Sequence, residues 1–262
     1  MTLYKGEYGS VCATCNPRQC LYLCQTEPPH STGPPFARKA NAAMTLPFDS
    51  EQFHEIFATY NSAIGAAPAV AWLLGVAGVL YALRPGPVRS RVTAAILALL
   101  WFWDGVIYHG FYFLQINDAA LLFAALFVAE GVLILHYGVL RGRLLFYYGN
   151  QSRHVAGALM LAFALLLYPL AGLASGQRYP ALPLFGVAPC PTTIYTLGLL
   201  LWAMEDCPEP LWLLPLLWAV IGTSAAYLLE VPQDYALGIS AIAAIFSLAR
   251  NRARSSARRS GG

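Results

Sequence analysis

The sequence predicts an all-α fold: a polytopic membrane bundle of about seven transmembrane helices, N-terminus outside and C-terminus cytoplasmic. Three observations carry this. Apolar residues make up 58% of the 262 and charged residues only 11%, where an ordinary soluble domain holds about 25% charged. The apolar residues gather into runs that approach the roughly 20 residues needed to cross a bilayer. Arginines gather in alternate connections between those runs. A soluble fold of this length could not cover its surface with so few charges, and a mean hydropathy of +0.54 excludes disorder. A disulfide scaffold is excluded over most of the length, since only Cys190 and Cys207 lie beyond residue 24. Nucleic acid is excluded as a partner, because the net charge is only +3 and the tightest basic cluster is the C-terminal tail.

In chain order, the first element is a short amphipathic helix over 50–60. Asp49 and Gln52 have the spacing of a capping box. Phe53, Ile56, Phe57 and Tyr60 then repeat at the spacing of one helix face. The apolar runs follow at 62–83, 92–114, 119–140, 155–175, 192–205, 211–229 and 234–249. Helices are the expected element, because backbone groups in lipid must be satisfied within the segment. The fifth and seventh runs are short, and 192–205 also reads as the return limb of a re-entrant hairpin, which would leave six spans. With seven spans, three basic regions share one side: Arg84, Arg89 and Arg91; Arg141, Arg143 and Arg153; and the tail arginines from Arg250 to Arg259. Positive charge marks that side as cytoplasmic. The opposite connections carry Arg178 alone. The acidic stretch Glu205, Asp206 and Glu209 falls on the basic side, but acidic residues weigh little in orientation. The expected location is the cell (inner) membrane as a multi-pass protein, with the tail 250–259 on anionic lipid headgroups.

Residues 1–43 read differently. They lack apolar periodicity and hold five prolines and four of the six cysteines. Cys12, Cys15, Cys20 and Cys24 at short spacing suit a tetrahedral zinc site or, outside the cell, disulfides. The expectation preferred over both is a disordered tail or one mis-assigned from an upstream initiator, with Met44 as the true start.

From Met44 onward the chain resembles an uncharacterised family of bacterial multi-pass membrane proteins, domain of unknown function 6064. The resemblance rests on Leu46-Pro47-Phe48, Glu51-Gln52-Phe53, Tyr60-Asn61, Trp101 with Tyr108-His109, Ile116-Asn117, Tyr168-Pro169, Phe185-Gly186, Cys190-Pro191-Thr192-Thr193 and Leu217-Trp218. It runs from about residue 46 to about residue 240. It implies a membrane protein and supports Met44 as the start; it implies no activity.

Ionisable residues inside apolar spans are costly and point to function. The second span holds Asp104 and His109, and the third Glu130 and His136. The tight connection at 115–118 makes these spans an antiparallel hairpin, which sets Asp104 and Glu130 at nearly equal depth. Facing each other, the two carboxyls would share a proton, the chemistry of a proton relay or cation site. The competing expectation is packing: Tyr108, at i+4, bonds Asp104, and Glu130 bonds a neighbouring helix. His109 and His136 differ in depth by about 18 Å, so they cannot share a metal, and no metal or other cofactor is expected. No lysine follows Lys39, which excludes a Schiff-base site.

The remaining polar motifs gather toward the outer ends of the spans: Asn61, Asn117, Arg178, Cys190, Thr192, Thr193 and Asp234, with Tyr168 near them. They are candidates for an outer-face pocket. The connection 176–191 contains Pro180, Pro183, Pro189 and Pro191 yet is apolar, and should fold back on the bundle as a lid or re-entrant segment. Thr192 and Thr193 are expected to cap the following helix, whose free amides would suit an anion with Arg178 as counter-charge. The tryptophans 101, 103, 202, 212 and 218 fit interfacial belts and lipid-facing positions.

Three functions follow. One is a small transporter or ligand-handling protein using Asp104 and Glu130 for proton coupling, with Tyr108 and His109 beside them. A second is a structural or accessory subunit with an unknown protein partner. The third, least favoured, is an intramembrane enzyme built on His109 and Cys190. No catalytic residue is assigned.

Overall fold

A computed structural model describes residues 47–203 and 207–260, with side chains to residue 250. The cysteine-rich tail and the acidic pair Glu205 and Asp206 lie outside the described residues. All regular structure described is helical; the only β-pairings described are isolated bridges.

The chain enters at α1 (Ser50–Ile64) through a complete capping box. Asp49 Oδ1 accepts the Gln52 amide at 2.9 Å, and Gln52 Oε1 accepts the Asp49 amide at 3.1 Å. Ile56, Phe57 and Tyr60 form its buried face, as the spacing predicts. At Gly65, whose φ of +55° suits glycine, the chain turns by 85° into α2 (Ala67–Ala82). The predicted first span at 62–83 is therefore a bent pair. Then come α3 (Pro87–Gln115), α4 (Ala120–Leu140), α5 (Ser152–Ala174) and α7 (Pro210–Leu229), each long and apolar enough to cross a membrane. Counting the bent pair as one span gives up to five such candidates among the described residues. Between α5 and α7 lies α6 (Pro189–Trp202), of only 14 residues, and α8 (Tyr235–Ser260) closes the chain.

Three of the long helices contain wide, π-type stretches, at 104–112, 135–140 and 163–167. The last has a visible cause. Pro169 cannot donate to the carbonyl of Leu165, four residues back. That carbonyl instead accepts the Trp72 indole N–H at 3.0 Å, so the bent backbone stays satisfied.

The centre of the bundle is α6. Every residue of it except Cys190 is buried, and it packs against α2, α3, α5, α7 and α8. Close approach is allowed where glycines face it. A Cβ on Gly157 of α5 would lie 2.6 Å from the Gly198 carbonyl of α6, and one on Gly78 of α2 would lie 2.6 Å from the Tyr195 hydroxyl. Tyr195 donates to the Gly75 carbonyl at 2.8 Å. The tryptophans correct the belt expectation: 101, 202, 212 and 218 are buried. Two of the four bind protein through the indole N–H, Trp101 to Thr196 Oγ1 and Trp202 to the His154 carbonyl, both at 2.8 Å, whereas the Trp218 N–H has no partner among the described residues.

Candidate functional site

Asp104 lies near the middle of α3, and the side chain next to it is Thr192, in the first turn of α6. That turn therefore begins deep in the bundle. The connection 176–188 reaches in to meet it, as its apolar composition predicts. Leu182, Phe185 and Val187 are buried, the Tyr60 hydroxyl donates to the Val187 carbonyl at 2.8 Å, and Asn61 Nδ2 donates to Pro180 and Leu182 carbonyls at 2.6 and 2.8 Å.

Around the start of α6 stands a buried polar cluster. Asp104 is fully enclosed, and neither of its carboxyl oxygens has a hydrogen-bond partner. Tyr60, Tyr108 and Cys190 lie within its electrostatic reach. The Cys190 thiol stands beside the carboxyl of Asp234. Asp234 in turn accepts a short hydrogen bond, 2.5 Å, from the Tyr168 hydroxyl. Two carboxyls, a thiol, a threonine and tyrosines thus converge from α1, α3, α5, α6 and the turn before α8.

Asp104 and Glu130 are not hydrogen-bonded to each other, since the oxygens of both are without partners. Equal depth was the right arithmetic, but the facing assumption fails. At that depth the α3–α4 contact is filled by Gly105 against Ala124, Phe127 and Val128, and by Phe102 against Gly131. Asp104 turns to Thr192 on α6, while Glu130 lies within reach of Cys207. Burial pushes that Cys207 thiol up to about 12, so it is neutral at physiological pH. The expected Asp104–Tyr108 bond is also absent, because the π-type stretch begins at Asp104 and moves the i+4 residue off its face.

His109 sits among Phe113, Phe123, Phe127 and Trp218, with both ring nitrogens unpartnered. It makes no hydrogen bond to Cys190. Trp218 adjoins both residues, its ring 5.1 Å from His109 and its indole nitrogen close to the thiol.

Of the outer-face candidates, Cys190, Thr192 and Asp234 share this cluster. Asn61 pins the 176–188 connection. Thr192 and Thr193 donate backwards to the Ala188 and Pro189 carbonyls, both at 2.8 Å, and cap no amide. Asn117 accepts the Ala119 amide in the α3–α4 turn, and exposed Arg178 binds the Leu173 and Gln177 carbonyls. The anion expectation fails at its source. Pro189 and Pro191 have no N–H, the Thr192 amide reaches Ala188, and Arg178 is engaged elsewhere.

A family model matches residues 50–259. The chain belongs to the family of unknown function DUF6064. The DUF6064 match takes in every member of the cluster, from Tyr60 to Asp234, and the whole helical bundle up to the last residue of α8. No curated protein and no solved structure matches the chain. Among the described residues no three His, Cys, Asp or Glu side chains are grouped to hold a metal ion.

Sequence reasoning missed Trp218, filed among the bland aromatics, and Arg153, counted as a loop charge. Arg153 is buried at the other end of α6 and donates to the Ala203 carbonyl at 2.9 Å. No local pattern marks either; each is known only by what it touches.

Proposed function

We propose that this is a multi-pass protein of the cell (inner) membrane that binds and carries a small cationic or proton-bearing solute at the cluster, with Asp104 as the proton-coupling group. The observation that carries this is the pair of buried carboxyl oxygens on Asp104 with no donor. Such groups cost about 1–3 kcal/mol each when left unsatisfied. A proton, a cation or an N–H of a bound molecule removes that cost. The surroundings are acidic, phenolic and thiol, with no lysine or arginine, which suits a cation. Packing alone gives the weaker account: the Thr192 hydroxyl beside Asp104 donates to the Ala188 carbonyl, and no donor of normal geometry reaches either carboxyl.

In this reading the chain crosses seven times, with α1 and α2 counted as one bent span. The N-terminus then lies outside and the C-terminus in the cytoplasm. An odd number of passes brings the arginine-bearing connections to one side, which supports the orientation. Purified full-length protein in proteoliposomes tests the function. A dye trapped inside reports proton movement when a panel of small amines is added outside. We expect amine-dependent proton flux in the wild type and none in Asp104→Asn of unchanged helix content. Equal flux in the variant retires Asp104 as the coupling group.

A further inference from the structure

At the arginine-bearing end of the bundle, between the start of α5 and the second half of α8, lies a cavity of about 460 Å³. That falls within the roughly 300–1,000 Å³ typical of small-molecule sites. Its polar wall is Asn150, Gln151, Ser152, Arg153, Ser247 and Arg250. The wall has two guanidinium groups and no carboxylate. The first turn of α5 opens on it with no side-chain cap, which adds free amides and a positive dipole end.

Arg153 is held rigidly. Its Nε donates to Gln151 Oε1 at 2.8 Å, and its two terminal nitrogens donate to the Ala203 carbonyl and the Tyr147 hydroxyl at 2.9 and 3.3 Å. Those bonds use three of the five N–H donors of a guanidinium. Arg250 is exposed, with its charge over the Phe246 ring at 5.5 Å. The other wall is apolar: Ala156, Ala243 and Phe246. One turn along the same helix faces stand exposed apolar side chains, Leu159 after Ala156 on α5, and Ile239 and Ile242 before Ala243 and Phe246 on α8.

We propose that this cavity binds the phosphate headgroup of an anionic membrane lipid, with an acyl chain lying along the α5–α8 groove. Phosphate chemistry follows from the two guanidinium groups and the uncapped helix start. The lipid, rather than free phosphate, follows from the apolar wall and the exposed apolar side chains one turn beyond it. The site differs from general attraction of the arginine tail to a charged surface, because it is a single half-open cavity with one buried arginine.

The inference rests on the membrane placement, which alkaline extraction of native membranes tests separately: a chain released to the supernatant ends that placement whatever the binding result. For the site itself, full-length protein in uncharged detergent is titrated with phosphatidylglycerol, phosphatidylcholine or inorganic phosphate. Bound lipid is read by native mass spectrometry and stability by thermal unfolding. We expect one tightly held phosphatidylglycerol, no comparable effect of phosphatidylcholine, and about tenfold weaker phosphatidylglycerol binding in Arg250→Gln. Ser247→Trp fills the cavity without changing charge and should lose the lipid while melting as the wild type does without it. The double variant Arg84→Gln/Arg89→Gln, exposed arginines outside the cavity wall, should keep it. Wild-type binding in both cavity variants overturns the site, as does loss in the Arg84/Arg89 variant alone. Equal stabilisation by inorganic phosphate overturns the lipid and leaves a free-phosphate site.

Discussion

The two ends of α6 are built from similar materials and finished differently. At its C-terminal end the buried charge, Arg153, is bonded through all three of its nitrogens. Arg153 binds the Ala203 carbonyl, the Tyr147 amide donates to the Trp202 carbonyl at 3.0 Å, and the Trp202 indole binds the His154 carbonyl. His154 Nδ1 accepts the Gly149 amide at 3.0 Å, and its Nε2 has no partner among the described residues. At the N-terminal end the chain places Asp104 against the first turn and leaves both its oxygens without a donor. Both ends are buried and polar. A completed hydrogen-bond set holds a fold together, whereas an incomplete one costs stability and is retained for something that arrives later.

Substitutions can break this contrast, ordered by their cost to stability. The largest effect should come from Gly157→Val, on α5 where it meets α6. Its side chain would enter the backbone of Gly198, and we expect a loss of about 3 kcal/mol or failure to fold, read by thermal unfolding in detergent. Arg153→Ala strips the completed end and should cost about 2–3 kcal/mol. Arg153→Lys should recover only part of it, since one ammonium cannot reproduce the fork. Asn61→Ala frees the 176–188 connection from two bonds, costing about 1–2 kcal/mol and raising amide exchange around residues 180–187. Asp104→Asn should change stability least, within about 1 kcal/mol, while abolishing flux. If Asp104→Asn costs as much as Arg153→Ala, the two ends do not differ and Asp104 is structural. Measured together, the last two variants separate a stability role from a coupling role.

Much of the architecture was legible in the chain. The Asp49–Gln52 capping box, the Phe53–Tyr60 face, the 115–118 hairpin and the infolded proline-rich connection follow from local spacing, and local spacing is what a linear text records. Depth was legible too, because helical rise converts position into height. Rotation was not. A π-type stretch at 104–112 shifts each later residue around the helix, and no residue there announces it. The supposed carboxylate pair therefore dissolved, and Asp104 gained Thr192, Cys190 and Tyr60 as neighbours. The tryptophans were misplaced for a related reason: an indole suits a lipid interface and a buried hydrogen bond equally, and only the facing glycines and carbonyls decide between them.

The sequence by itself determined that the protein is helical and built from apolar runs, and it singled out Asp104, Cys190, Thr192 and Asp234. Composition and periodicity are properties of the chain, summed over many residues, and survive any detail of packing. Tertiary structure alone decided that the 14-residue helix Pro189–Trp202 is the centre of the bundle, that two distant aspartates come within reach of one cysteine, and that one end of that helix meets an arginine bonded through all three of its nitrogens while the other meets a carboxyl without a donor. Those depend on which faces meet. A one-residue change in helical phase turns a side chain by about 100°, and no composition or spacing carries that angle.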